Sequence, residues 1–129
     1  MATFKAVTSD KAPAAIGPYS QAIVVNGMVY TSGVIPADPT TGDIVGDDIT
    51  AQATRVFESM KGLLEDAGSG MDQIVKTSCF LQDLADFATF NEIYASFMTG
   101  ETAPARSTVQ VAKLPKGVLV EVEAVALLK

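Results

Sequence analysis

The sequence predicts an α+β fold in which one mixed sheet carries two helices packed on a single face. Three observations predict it. Two β-rich runs flank an Asn-Gly pair, an apolar stripe at helical spacing occupies residues 49–67, and two alternating runs close the chain. Strands interleaved with just two helical segments point to a mixed sheet with both helices on one side.

Taken in order, a short strand over 3–7 opens the chain. Residues 20–33 contain two β-rich runs joined by Asn26-Gly27, the strongest short-range signal of a hairpin. Residues 36–43 concentrate Pro, Gly, Asp and Thr and form a loop. Ile49, Ala53, Val56, Phe57, Met60, Leu63, Leu64 and Ala67 then recur at steps of three and four, as in an amphipathic helix. Asp47 and Asp48 suit its positive N-terminal end, and Gly68 its stop. Residues 74–81 read as a buried strand. A second helix opens with Asp86 as N-cap, carries Phe87, Phe90, Tyr94 and Phe97 on one face, and ends before Gly100. Strands over 105–111 and 118–128 complete the order.

At 129 residues the chain is expected to be one domain spanning 1–129. Hydrophobic residues make up 48% and charged residues 19%, more apolar side chain than a small domain easily buries. The sheet face without helices also lacks a cover. Packing against copies of the same chain solves both problems and gives a closed cyclic oligomer.

The net charge of −6 and pI near 4.4, with nine scattered Lys and Arg, exclude a phosphate-backbone footprint, so no nucleic-acid partner is expected. The sequence contains neither an apolar run of membrane-spanning length nor a secretory leader, so the expected location is the cytoplasm, with no membrane partner. Cys79 is the only cysteine, which precludes an intrachain disulfide.

With no histidine and no tryptophan, chemistry must rest on arginine, carboxylates, hydroxyls and backbone groups. Arg106 lies in Pro104-Ala-Arg-Ser-Thr-Val-Gln-Val111, and strand alternation puts it on the same face as Thr108. A guanidinium is the natural partner of a carboxylate, because its planar fork gives two parallel charge-assisted hydrogen bonds. Small organic acids are therefore the first candidate ligands. Glu121 and Glu123 share a face of the last strand. Such a glutamate is either the structural ion-pair partner of the arginine or a group that addresses water.

Gly17-Pro18 fixes a turn that presents Tyr19 at a defined place, as a core-edge lid or a pocket wall. Ser32-Gly33 ends a strand where glycine permits close approach to the backbone. Asn91 sits beside the aromatic stripe of the second helix, able to cap or to line a cleft. Cys79, in an apolar strand, reads as core. The pairs Asp47-Asp48 and Glu65-Asp66 lack metal-ligand spacing, and no phosphate-binding glycine loop or dinucleotide fingerprint occurs, so neither metal nor cofactor is expected.

Together, Ala12-Pro-Ala-Ala-Ile-Gly-Pro-Tyr-Ser-Gln21, Thr31-Ser-Gly-Val-Ile-Pro36, Gly42, Pro104-Ala-Arg-Ser-Thr108, Leu114-Pro-Lys-Gly117 and Glu121-Val-Glu-Ala124 resemble the Rid family. This family is also called YjgF or reactive intermediate deaminases, and older usage labels it L-PSP endoribonuclease. The resemblance runs from Ala12 to Leu128. It implies a chorismate-mutase-like α+β fold, a homotrimer with ligand sites between subunits, and hydrolysis of 2-imino acids such as 2-iminobutanoate and 2-iminopropanoate to 2-oxo acids and ammonia. It places the carboxylate-binding arginine on Arg106 and the water-orienting glutamate on Glu121. The remaining pocket residues fall on Tyr19, Ser32, Gly33 and Asn91. Many members carry cysteine two residues after the arginine; this chain has Thr108, which removes any thiol chemistry there but leaves attack by water. Two other readings use the same residues: a non-enzymatic, chaperone-like binder of small carboxylates, and an endoribonuclease, which the acidic charge and missing histidine disfavour.

Overall fold

The structure is a computed structural model and describes residues 3–129. β2 (Ala22–Val25) and β3 (Met28–Thr31) pair with Val25 opposite Met28, so just two residues turn the chain. Asn26 and Gly27 both take positive φ, 49° and 77°. A turn of that hand matches the twist of the flanking strands, which is why an Asn-Gly pair stands there. β1 (Lys5–Val7) adds antiparallel to β2.

α1 (Ile49–Asp66) starts at Asp48, whose carboxylate accepts the Ala51 N–H at 2.8 Å. It stops at Gly68, where φ of 90° turns the chain and lets the Ser69 N–H reach the Leu64 carbonyl. α2 (Phe87–Phe97) begins directly after Asp86, the N-cap position expected from the sequence. Asp86 precedes it but makes no capping bond, because its own backbone is already near-helical at φ −83° and ψ −1°. Asp83 instead caps the short 3₁₀ turn Leu84–Asp86 that leads into the helix, its carboxylate accepting the Ala85 N–H.

β4 (Ile74–Leu81), β5 (Ala105–Gln110) and β6 (Val120–Leu127) complete a six-stranded sheet in the order β1-β2-β3-β6-β4-β5. β4 and β5 are parallel, joined through α2, and every other pair is antiparallel. β6 starts two residues later than the sequence suggests, after a turn at Pro115–Gly117 in which Lys116 takes φ of 56°.

Alternation then divides the sheet into two faces. Val29, Thr31, Thr77, Cys79, Leu81, Val120, Val122 and Ala124 are buried under the helices. Tyr30, Phe80, Val109, Glu121 and Glu123 lie on the opposite face, where Tyr30 and Val109 remain 46% and 45% exposed. No helix covers that face among the described residues, and no described helix is long and apolar enough to cross a membrane.

The helix layer is joined around Phe57, whose ring centroid lies 5.4–5.9 Å from those of Phe90, Tyr94 and Phe97. Phe57→Ala should therefore lower stability by about 3–5 kcal/mol, since it removes a fully buried ring shared by both helices. The measurement is the urea midpoint, which should fall with little change in the slope of the transition.

Candidate functional site

The residues singled out in the sequence gather into two clusters. The first forms where β3 ends. Beyond Thr31 the chain stays beside β6: Val34 exchanges backbone hydrogen bonds with Val122, at 2.8 and 3.2 Å, which brings Gly33 next to Glu121. A Cβ on Gly33 would overlap the Glu121 carboxylate, so glycine is required there by the carboxylate's position rather than by its own backbone angles. Ser32 is held from both ends, its N–H donating to the Gln21 carbonyl at 2.9 Å and its hydroxyl to the Ser20 carbonyl at 2.6 Å.

Ser32 and Gly33 line a cavity of about 300 Å³ together with Tyr19, which is 51% exposed. Its other walls come from Ala12–Ala14, Ile16 and the loop 38–42. Gln21 fixes the first of these walls. Its buried side-chain amide donates to the carbonyls of Ser9, Ala12 and Pro13 and its oxygen accepts the Ser9 N–H at 2.7 Å. Gln21 has no role assigned from the sequence alone. A glutamine directly after a segment holding Pro13 and Pro18 is the available signal, because the carbonyls of such a segment need donors.

The second cluster surrounds Arg106. Its Nη1 donates to Asn91 Oδ1 at 2.6 Å, and its guanidinium carbon lies 4.6 Å from the Tyr94 ring centre and 5.4 Å from that of Phe87. Asn91 thus spends its side-chain oxygen on Arg106 rather than on capping the helix. Phe87 and Tyr94, read from the sequence as core, double as the seat of a cation. Thr108 shares this face, in register with Cys79, and its Oγ1 is buried without a hydrogen-bond partner. Burial pushes the Cys79 thiol upward in pKa, which favours its protonated form.

Within one chain the clusters do not meet. Arg106 is in register with Thr77 beneath α2, whereas Glu121 is in register with Phe80 on the open face. The alternation that buries Val120 and Val122 under the helices turns Glu121 away from Arg106. The structural ion pair considered from the sequence is therefore not formed. Among the described residues Arg106 pairs with no carboxylate, and the described ion pairs are Lys11–Asp66, Arg55–Glu58 and Lys129–Asp72. Burial, and then the like charge of Glu123, push the Glu121 carboxyl above the ordinary glutamate range. The chain thus holds a cation hydrogen-bonded through Nη1 on one face and a carboxylate of raised pKa beside Gly33 on the other.

Comparison with known proteins gives the family of the chain. The family model described as Endoribonuclease L-PSP matches residues 9–128. The chain is 50% identical over 124 residues to a 2-iminobutanoate/2-iminopropanoate deaminase of Salmonella typhimurium, covering 95% of this chain and 96% of that one. A crystal structure of a Rid-family protein from Yersinia pestis superposes with a TM-score of 0.95 at 45% identity, covering 98% of this chain and all of that one. That of Escherichia coli TdcF with bound serine gives 0.91 at 44%, covering 97% of this chain and 99% of that one. With one family model spanning both clusters and relatives matched almost end to end, the chain belongs to the L-PSP endoribonuclease family, the Rid family anticipated from its motifs.

Proposed function

We propose that the protein hydrolyses reactive 2-imino acids, such as 2-iminobutanoate and 2-iminopropanoate, to 2-oxo acids and ammonia, in sites completed between subunits of a homotrimer. The observation that carries the reading is the placement of Arg106 and Glu121 on opposite sheet faces, each with the surroundings its role needs. A neighbouring subunit packed against the open face supplies the missing half. The name of the Salmonella relative supports the reaction. The Escherichia coli structure with serine supports a small amino-acid-like ligand.

In this scheme Arg106 binds the substrate carboxylate, with Asn91 holding the guanidinium from behind. Tyr19, Ser32 and Gly33 of the adjoining subunit line the remainder, and Thr108 offers its free hydroxyl to the substrate. Glu121 takes a proton from a water as the water oxygen bonds to the imine carbon. Glu121 hands that proton to nitrogen, which gives the carbinolamine; the hydroxyl proton then passes through Glu121 to the amine as the C=O double bond forms and the C–N bond breaks, and ammonia leaves the 2-oxo acid. No metal or cofactor enters the balance. Imines hydrolyse unaided, so positioning plus a general base, typically worth about 10²–10⁴-fold, is sufficient. The role is removal of imines released by pyridoxal-phosphate enzymes, which suits a cytoplasmic location. The endoribonuclease label gains no support from a chain of charge −6 without histidine.

The decisive assay is ammonia release from freshly generated 2-iminobutanoate. Arg106→Lys keeps the charge but not the fork, and should lower kcat/KM about tenfold or more. Glu121→Gln should lower kcat about a hundredfold while 2-oxobutanoate still binds. Product formed no faster than without protein would overturn the proposal.

The pH profile follows from the raised Glu121 pKa. A base works deprotonated, so kcat should fall on the acid side at a pH above the ordinary glutamate range, and that limb should vanish in Glu121→Gln. The same sign governs folding. A raised carboxylate pKa costs stability at neutral pH, and the cost is relieved as pH falls through it.

The composite site has its own test. An Arg106→Ala chain and a Glu121→Gln chain, each inactive alone, should regain activity when unfolded and refolded together. With equal random mixing into rings about a quarter of the sites receive both native residues. Sedimentation should give a trimer, and recovery near zero from a mixed trimer would place both groups within one chain's site.

A further inference from the structure

Phe87, Asn91 and Tyr94 stand at successive turns along one stripe of α2, and all three meet the same guanidinium. Tyr94 is the one that is itself anchored. Its hydroxyl shares a 2.8 Å hydrogen bond with Thr77 Oγ1, both side chains being buried. Thr77 is the β4 residue in register with Arg106. A closed circuit results: the backbone of Arg106 lies beside Thr77, Thr77 fixes the Tyr94 ring, and that ring carries the head of Arg106. Desolvation keeps the Tyr94 hydroxyl neutral, so the bond persists across the working pH range.

We propose that Tyr94, pinned by Thr77, is a positioning residue that sets the plane of the Arg106 guanidinium and so decides which edge of the fork faces the substrate carboxylate. Asn91 takes a hydrogen of Nη1, and the ring face fixes the tilt about that bond. The edge carrying Nε and Nη2 then makes no hydrogen bond among the described residues. Asn91 alone is a single point and leaves the plane free to rotate. This inference rests on the reading of Arg106 as the carboxylate-binding group, and it extends that reading to residues which composition and spacing assign to the core.

The test compares Thr77→Val, Tyr94→Phe, their double variant and Tyr94→Leu with the wild-type trimer. Each is assayed for kcat and KM on 2-iminobutanoate, and titrated calorimetrically with 2-oxobutanoate and with its uncharged amide. Loss of the anchor should weaken carboxylate binding about two- to threefold in Thr77→Val and Tyr94→Phe, the double variant being no worse, because both break one bond. Loss of the ring in Tyr94→Leu should cost about tenfold, largely restored in Tyr94→Phe. Amide binding should stay at the wild-type level throughout, since only a carboxylate uses the fork.

If carboxylate and amide weaken together, or neither weakens, Tyr94 serves only the core and the proposal is overturned. Should Tyr94→Leu fail to fold, the Thr77→Val and Tyr94→Phe pair gives the decision. A wild-type protein that neither releases ammonia nor binds 2-oxobutanoate would refute the reading of the site itself, a result distinct from normal activity with indifferent variants.

Discussion

β6 is the last strand in sequence, yet it is hydrogen-bonded to β3 on one side and β4 on the other. From this central place it fixes the phase of the whole sheet. Val120, Val122, Ala124 and Ala126 must all face the helices, so the residues between them must all face away. The Ala124 N–H is further tied to the buried Thr31 hydroxyl at 2.9 Å, which locks β6 to β3 near Gly33. The position of Glu121 beside Gly33, and its separation from Arg106, both follow from that one phase.

The same constraint explains the chemistry of each half. Arg106 belongs to the helix side, where aromatic rings and an amide replace water around the cation without neutralising it. A carboxylate of the same chain would have removed the charge from use. Glu121 belongs to the side with no helix layer, half-buried and beside a like charge, conditions that make a carboxylate a better base. Separation keeps two opposite groups from satisfying each other.

Much of this was legible in the sequence, for local reasons. The Asn26-Gly27 turn, the stripe of α1 and its Asp48 and Gly68 boundaries depend on neighbours a few residues apart, and their signals are correspondingly direct. Face-sharing by Arg106 and Thr108, or by Glu121 and Glu123, needs only alternation. What could not be read was the relation between distant elements. That Arg106 and Glu121 take opposite faces depends on how β6 pairs with β4 and β5 with β4, over separations no local pattern encodes. The dual role of Tyr94 was hidden because an aromatic at helical spacing looks the same whether it packs against leucine or beneath a cation. Asp86 stands at the N-cap position the sequence indicated, but its near-helical backbone denies the carboxylate a capping bond, a detail that backbone angles decide.

Arg106 also has a consequence for the sheet margin. β5 lies at the edge, paired on one side with β4, and a strand in that place is the one most free to slide along its neighbour. A slip of one residue would put Ser107 under α2 and swing the guanidinium onto the opposite face, leaving Asn91 without its donor and two aromatic faces against a small hydroxyl. No other residue of β5 is cationic, so no alternative alignment fills that seat. The Arg106 charge thus acts as the detent that holds this edge strand in a single alignment.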